Sequence, residues 1–166
     1  DTWGTNLYQQ INWWAPVSNV EEKNTMIFYP DYFDVPVKNT TSTWDLNIYL
    51  ANRKKGDFSY PSAPQLKEDL PSNIKKIPVT IKPGEILCFS GAHLHSSSKE
   101  KSENTRISFE IRTICENDLN GSAQAPNVDC DLQWKFPKIF KKINDNSPLK
   151  ITCLLYTSDA ADEGVR

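Results

Sequence analysis

Within residues 105–114, positions 106–112 alternate strictly between polar and apolar side chains, and this pattern constrains the fold more than any other part of the sequence. The apolar positions are Ile107, Phe109 and Ile111, and the polar positions between them are Arg106, Ser108, Glu110 and Arg112. A period of two residues is typical of a β-strand, in which successive side chains point to opposite faces. The segment therefore predicts a strand with one apolar and one polar face.

Further short segments favour strands, and prolines or turn residues separate them. Residues 7–14 and 25–29 are rich in strand-forming side chains and are followed by proline, and residues 77–81 and 86–89 flank the turn residues Pro83 and Gly84. Residues 43–52 fit a strand or a helix, and we favour a helix behind a Ser42 cap. Residues 56–76 have no sustained period and predict a surface loop or a lid. Many short strands and few helices indicate a mainly β fold, a barrel or a two-sheet sandwich.

Composition and charge limit the class of partner. A chain of 166 residues with a net charge of −2 and scattered lysines has the size of one domain and no basic stripe. We therefore expect a small-molecule partner rather than nucleic acid or membrane. The chain has no apolar run long enough to span a bilayer and no signal-peptide pattern at its start, which predicts a soluble, cytoplasmic protein. The four cysteines are widely spaced, which favours buried reduced thiols.

The residues that suggest chemistry lie between Gly91 and Ile114. A histidine pair, His93 and His95, precedes a polar loop, and Arg106 and Ser108 follow on one strand face. Neutral imidazole is a good ligand for Fe(II), and a planar guanidinium can form a bidentate pair of hydrogen bonds with a carboxylate. The alternatives are a histidine pair that merely ends a strand and an exposed Arg106 that pairs with Glu110.

The runs PGEILCFSGAHLHSS and NTRISFEIRT resemble the second half of the phytanoyl-CoA dioxygenase-like branch of the Fe(II)/2-oxoglutarate oxygenases. The resemblance implies a double-stranded β-helix, a jelly-roll or cupin-like barrel, with His95 as the distal metal ligand. It also implies that Arg106 and Ser108 bind 2-oxoglutarate. The eleven-residue step from His95 to Arg106 agrees with the usual spacing, whereas the step from His93 is thirteen, so His93 is expected near the metal ligand rather than on the metal.

The first part of the chain, DTWGTNLYQQINWWAPV and EEKNTMIFYPDYF, is similar to the segment after the His-x-Asp motif of the same branch. By that register Asp1 is a metal ligand, and the first metal histidine lies two residues before it, outside the sequence. The resemblance implies an oxygenase domain over residues 1–135, truncated at its N-terminus, and an extension over 136–152. Residues 153–166, which include CLLYTSDAADE, look like translated sequencing adapter.

Gln10, Asn12 and Trp14 share one face of the first predicted strand and are candidates for the pocket wall, although a solvated polar face or a core tryptophan is the simpler interpretation. The expected function is hydroxylation of a small molecule with Fe(II), O2 and 2-oxoglutarate, releasing succinate and CO2. Two alternatives stay open: a non-catalytic cupin-like module that binds a small ligand, and an inactive fragment of the oxygenase.

Overall fold

A computed structural model describes residues 2–5, 7–98, 102–119, 125 and 139–149. Within these residues the chain forms six β-strands, one α-helix and three short 3-10 helices. The strands are β1 (Ile11–Pro16), β2 (Met26–Phe28), β3 (Ile77–Pro78), β4 (Leu87–Ser90), β5 (His95–Ser97) and β6 (Ser108–Thr113). The helix α1 is Leu46–Lys54, and the 3-10 helices are Glu22–Asn24, Pro30–Tyr32 and Glu116–Leu119.

The strands form two three-stranded antiparallel sheets, in the orders β4-β1-β6 and β3-β2-β5. The chain passes back and forth between them, since β1, β4 and β6 belong to one sheet and β2, β3 and β5 to the other. The prediction of a mainly β chain with few helices is confirmed. The finer assignment, a double-stranded β-helix, stays a prediction: a jelly roll has about eight strands in two sheets, and six are described.

The core lies between the two sheets. Trp14 and Phe89 come from the first sheet and Met26 and Phe28 from the second, and all four are buried. The rings of Phe28 and Phe89 meet edge to face with their centres 5.0 Å apart, an arrangement that aromatic pairs favour. Burial of each such side chain contributes roughly 1.5–3 kcal/mol, so this aromatic contact holds the sheets together.

Strand β6 has a polar inner face and an apolar outer face, whereas β1 and β4 contribute Trp14 and Phe89 to the core. Ile107, Phe109 and Ile111 lie on the outer face and are 57%, 48% and 55% exposed, and Trp13 of β1 pairs with Ile111 beside them. The predicted alternation of faces is confirmed, but the strand is Ser108–Thr113 and so is shorter than the predicted range 105–114. Its polar positions point toward the space between the sheets, so the usual arrangement with the apolar face inside is reversed in β6.

The helix α1 confirms the preference for a helix in residues 43–52, but its predicted cap is wrong. Asp45, not Ser42, is the N-cap, and its carboxylate accepts hydrogen bonds from the backbone N–H groups of Asn47 and Ile48. A carboxylate at this position satisfies amide groups that have no partner within the helix. The turn predicted at Pro83 and Gly84 is confirmed: Gly84 has a φ of +96°, which glycine adopts without strain.

Two further expectations differ from the structure. The cysteines were expected to be buried, but Cys88 and Cys115, the two within the described residues, are exposed. Cys88 alternates with the buried Phe89 and so faces outward. The first strand was predicted over residues 7–14 but spans Ile11–Pro16, and Leu7 is buried outside it.

Several predictions fall outside the described residues, including the role of Asp1 and the adapter-like tail 153–166. The proposed extension 136–152 is described over 139–149, where Lys141 and Pro148 form an isolated bridge and Lys142 lies 2.8 Å from Glu116. In the part of the chain that the structure describes, no helix has the length and apolar character needed to cross a bilayer.

Candidate functional site

A cavity of about 370 Å³ is lined by residues of both sheets, of the segment before β1 and of the loops between the later strands. Its volume lies at the small end of the range for ligand pockets, about 300–1,000 Å³. Four of the site residues that were predicted from the sequence line the cavity, together with residues that were not predicted. The first group is Trp14, His95, Arg106 and Ser108, and the second includes Thr2, Trp3, Met26, Thr41, Ser62, Ser96, Ser97, Glu110 and Arg112.

His95 begins β5 and lies between two aromatic rings. The ring centres of Phe28 and Phe89 are 5.6 Å and 5.0 Å from that of His95. Its Nδ1 atom lies 2.7 Å from the carbonyl oxygen of His93, and because a carbonyl can only accept, Nδ1 carries the proton. Nε2 is then the nitrogen with the lone pair. Burial lowers the pKa of His95 to about 4, so the imidazole is neutral at physiological pH.

His93 does not line the cavity, and its ring is stacked on Phe33 with the centres 3.9 Å apart. Burial lowers the pKa of His93 as well. Its backbone is held by a hydrogen bond from its N–H to the carbonyl oxygen of Ser90. His93 therefore reaches the site through its carbonyl group, which orients His95, rather than through its ring.

Arg106 is held at the cavity by three contacts. Nη1 donates to the carbonyl oxygen of Asn24 and Nη2 to the hydroxyl of Ser97, each over 3.1 Å, and the guanidinium lies 5.9 Å from the ring centre of Trp14. Burial lowers the pKa of Arg106, and no carboxylate of the described residues forms an ion pair with it. The alternative pairing of Arg106 with Glu110 is not formed, because Glu110 pairs with another arginine.

Ser108 is the first residue of β6, pairs with Pro16 in the register and lines the same cavity as Arg106, which precedes the strand by two residues. Trp14 is 3% exposed and belongs both to the core and to the cavity wall. The wall and core interpretations of this tryptophan are therefore compatible. Arg106, Ser108 and Trp14 together form one side of the cavity.

A row of polar side chains continues along the inner face of β1 and β6. The amide of Gln10 donates to Asn12 over 2.7 Å, and that of Asn12 donates to Glu110 over 3.3 Å. Glu110 forms an ion pair of 2.6 Å with Arg112, whose guanidinium lies 4.8 Å from the ring centre of Trp3. Gln10 and Asn12 are fully buried and do not line the cavity, so they support the wall from behind.

Glu110 and Arg112 were missed as site residues. The signal was present, because the alternation of residues 105–114 places them on the same face as Arg106 and Ser108. Both side chains are largely buried, with exposed fractions of 21% and 24%.

One wall of the cavity comes from the long loop, where residues 62–64 line it. Hydrogen bonds hold the loop on both sides of this wall. Before it, the indole of Trp44 donates to the carbonyl oxygen of Pro61. After it, the N–H group of Gln65 donates to the hydroxyl of Thr40, and the N–H group of Thr40 donates to the carbonyl oxygen of Gln65. Residues 56–76 therefore contribute to the site.

The described residues, which leave out Asp1, contain no group of three histidine, cysteine, aspartate or glutamate side chains placed to hold a metal ion. His95 is the one predicted metal ligand that they include, and its partner in the prediction, Asp1, lies outside them. Arg106 and Ser108, the predicted 2-oxoglutarate ligands, are brought to the same cavity as His95.

Comparison of the chain with protein-family models, with curated proteins and with solved structures gave no match.

Proposed function

We propose that the protein is an Fe(II)/2-oxoglutarate-dependent dioxygenase of the phytanoyl-CoA dioxygenase-like branch that hydroxylates a small molecule. One observation carries the proposal: a neutral histidine and an arginine without a carboxylate partner among the described residues line the same small cavity. Such a pair provides a donor for a metal and a cation for the far end of an anionic cosubstrate.

Arg106 is suited to the distal carboxylate of 2-oxoglutarate. Its guanidinium is fixed by Asn24 and Ser97, so little side-chain freedom is lost when an anion binds. Partial burial removes water that would compete for the N–H donors, and Ser108 provides a hydroxyl in the same cavity. Electrostatics favours an anion, because Glu110 balances Arg112 and leaves Arg106 as the uncompensated charge among the lining residues that are described.

His95 has the protonation state that a metal ligand requires. The carbonyl of His93 fixes the tautomer with Nδ1 protonated, and this outer contact sets the orientation of the ring, as is common for histidines that bind metals. The pKa of about 4 keeps the ring from competing for a proton at neutral pH. The fit to Fe(II) is partial in the described residues, and we assign Asp1 as the carboxylate ligand and a residue preceding it as the other histidine.

When bound, Fe(II) with 2-oxoglutarate and O2 supplies an oxidant able to hydroxylate an unactivated carbon, with release of succinate and CO2. The contribution of this chain is binding and exclusion of water. Arg106 and Ser108 orient the cosubstrate, Trp14 and Met26 provide an apolar wall, and residues 62–64 form a further wall of the cavity.

The wild-type chain together with the residues that precede Asp1, where we assign the other metal histidine, tests the proposal through binding and turnover measured separately. Under anaerobic conditions, calorimetric titration with 2-oxoglutarate should show binding that Fe(II) strengthens. His95→Ala should abolish the strengthening and leave the metal-free binding of 2-oxoglutarate within about twofold, since Arg106 is unchanged. On admission of O2, the wild-type chain should form succinate from 2-oxoglutarate, and His95→Ala should not.

His93→Ala is the matched variant, because it keeps the backbone carbonyl that orients His95 and removes a ring outside the cavity. It should retain the effect of Fe(II). Binding of 2-oxoglutarate without any effect of Fe(II) and without succinate would instead identify a non-catalytic ligand-binding module. No binding of 2-oxoglutarate would contradict both assignments.

A further inference from the structure

We propose that Asn24 is a positioning residue for anion binding at Arg106. Its backbone carbonyl holds the guanidinium, and its side chain ties the turn between β1 and β2 to the segment that carries Arg106. The inference rests on the proposed function in one respect, that the anion is 2-oxoglutarate. The hold of Asn24 on the guanidinium can be measured without that anion.

The guanidinium of Arg106 is held from two neighbouring strands. Nη1 donates to the carbonyl oxygen of Asn24 and Nη2 to the hydroxyl of Ser97, each over 3.1 Å. Asn24 lies two residues before β2, and Ser97 pairs with Met26 of β2. Both acceptors are neutral, so they fix the plane of the guanidinium without balancing its charge. A shift of the Asn24 carbonyl would release Nη1.

The side chain of Asn24 fixes the position of this carbonyl. Its amide oxygen accepts from the N–H group of Glu21 over 2.8 Å, and the N–H group of Asn24 donates to the carbonyl oxygen of Glu21 over 3.0 Å. Its amide nitrogen donates to the carbonyl oxygen of Asn104 over 3.2 Å and to the hydroxyl of Ser102 over 3.4 Å. A side-chain amide can accept from one segment and donate to another at the same time. Asn24 therefore joins the turn between β1 and β2 to the residues just before Arg106.

The same turn holds the connection between β5 and β6 at both ends. At its start, the N–H group of Ser98 donates over 2.8 Å to the carbonyl oxygen of Thr25, which is fully buried. Toward its end, Asn104 accepts from the Asn24 amide and donates from its own amide to the carboxylate of Glu21 over 2.8 Å. The consecutive residues Asn24 and Thr25 therefore fix both flanks of the segment that leads into β6. Support of this kind from outside a site keeps a binding group in one orientation.

Asn24→Ala separates orientation from charge. The substitution keeps the backbone carbonyl of residue 24 and the charge of Arg106, so a change in affinity reports how the guanidinium is held. Lys23→Ala is the matched control, because Lys23 is the exposed neighbour in the same turn and takes no part in the hydrogen bonds that hold Asn24 and Arg106.

Calorimetric titration of the full chain with 2-oxoglutarate in metal-free buffer gives the dissociation constants. Asn24→Ala should raise the dissociation constant about three- to tenfold, the factor that corresponds to the loss of roughly one hydrogen bond. Lys23→Ala should leave it within about twofold at moderate ionic strength, where exposed charges are screened. In the Arg106→Gln background Asn24→Ala should have no further effect, because no guanidinium is left to position. A merely structural effect would add to that of Arg106→Gln.

The guanidinium itself gives a readout that needs no anion. The chain has four arginines, so the nitrogen NMR signals that disappear in Arg106→Gln identify Arg106. Hydrogen bonds at both Nη atoms slow rotation about the Nε–Cζ bond. The two Nη signals should therefore be separate in the wild-type chain and merge in Asn24→Ala at the same temperature.

Separate Nη signals in Asn24→Ala overturn the positioning role, as does an equal rise in the dissociation constant in both backgrounds or in Lys23→Ala. Asn24→Ser keeps a short acceptor for the Glu21 N–H group and cannot reach Asn104, so it serves if Asn24→Ala does not fold. If the wild-type chain does not bind 2-oxoglutarate, the dioxygenase proposal fails, and the guanidinium signals alone decide the role of Asn24.

Discussion

The Nδ1 atom of His95 lies 2.7 Å from the carbonyl oxygen of His93, two residues earlier in the chain. The contact fixes which nitrogen of His95 carries the proton, and the rings of Phe28 and Phe89 fix the plane of the imidazole. The histidine pair is thereby divided into one ring at the cavity, that of His95, and one supporting carbonyl, that of His93.

Acid should destabilise the metal-free protein through His95. The pKa of His95 is lowered to about 4 from an ordinary value of 6.5, so the unfolded chain binds the proton first. The contribution of the neutral ring to stability is complete above pH 6.5 and is lost as the pH falls toward 4. The loss should amount to about 3 kcal/mol, from about 1.4 kcal/mol per pH unit of pKa difference. Urea unfolding of the wild-type chain between pH 7.5 and 4 measures it.

Carboxylates titrate in the same range, so the comparison is with His95→Asn, which should lose less stability over the same interval. His93→Asn provides the second comparison. The pKa of His93 is lowered as well, mainly by burial, so the sign of its effect is the same. Equal acid sensitivity in the wild-type chain and in His95→Asn would contradict the assignment to His95.

Substitution of Arg106 should weaken 2-oxoglutarate binding more than it weakens the fold. Arg106→Gln removes the cation that we assign to the distal carboxylate, and the dissociation constant should rise about 10- to 100-fold, the range for hydrogen bonds between charged groups. Arg106→Lys keeps the charge but loses the planar guanidinium group. Its dissociation constant for 2-oxoglutarate should lie between those of the wild-type chain and Arg106→Gln. Calorimetry gives the dissociation constant. An unchanged affinity of Arg106→Gln for 2-oxoglutarate would show that the cosubstrate does not bind to Arg106.

Gly91 should not accept a side chain. A methyl group at this position would lie 2.3 Å from Nε2 of the buried Gln10 and 3.5 Å from the amide oxygen of Asn12. Gly91→Ala should therefore lower the free energy of unfolding by about 1–3 kcal/mol, as overpacking of a filled interior does. Chemical denaturation measures the change.

A double-mutant cycle with Gln10→Ala isolates the cause of that loss. In the Gln10→Ala background the clash partner is absent, so Gly91→Ala should cost less than it does in the wild-type chain. An identical cost in both backgrounds would show that the backbone, not the Gln10 side chain, rejects alanine.

Asp45→Ala should destabilise the start of α1. The carboxylate accepts from the N–H groups of Asn47 and Ile48, and loss of such a cap typically costs about 1 kcal/mol. Asp45→Asn retains an acceptor oxygen and should cost less. Thermal unfolding followed by circular dichroism compares the two variants, and an equal loss in both would contradict a role for the cap hydrogen bonds.

The sequence predicted those features that depend on local pattern. The alternation around Phe109 predicted the strand and the common face of Ser108 and Glu110, because the period of side chains along a strand is fixed by backbone geometry. The turn at Gly84 followed from the φ angles that proline and glycine prefer.

Features that depend on packing were not predictable in the same way. Gln10 and Asn12 look like residues of a solvated face, and only the pairing of β1 with β6 brings Glu110 within reach of Asn12. The choice between Ser42 and Asp45 as the cap depends on where the helix begins, and both residue types suit the position. The outward direction of Cys88 follows from the strand register, which the sequence alone did not fix.

The apolar outer face of the sheet β4-β1-β6, with Phe109 and Ile111 about half exposed, has a practical consequence for the choice of buffer. Sulfate strengthens the association of apolar surfaces because it is excluded from them. It is also a doubly charged anion of the kind that guanidinium groups bind. Ammonium sulfate should therefore precipitate this protein at modest concentration and at the same time compete for its arginines, whereas chloride at moderate ionic strength should do neither strongly.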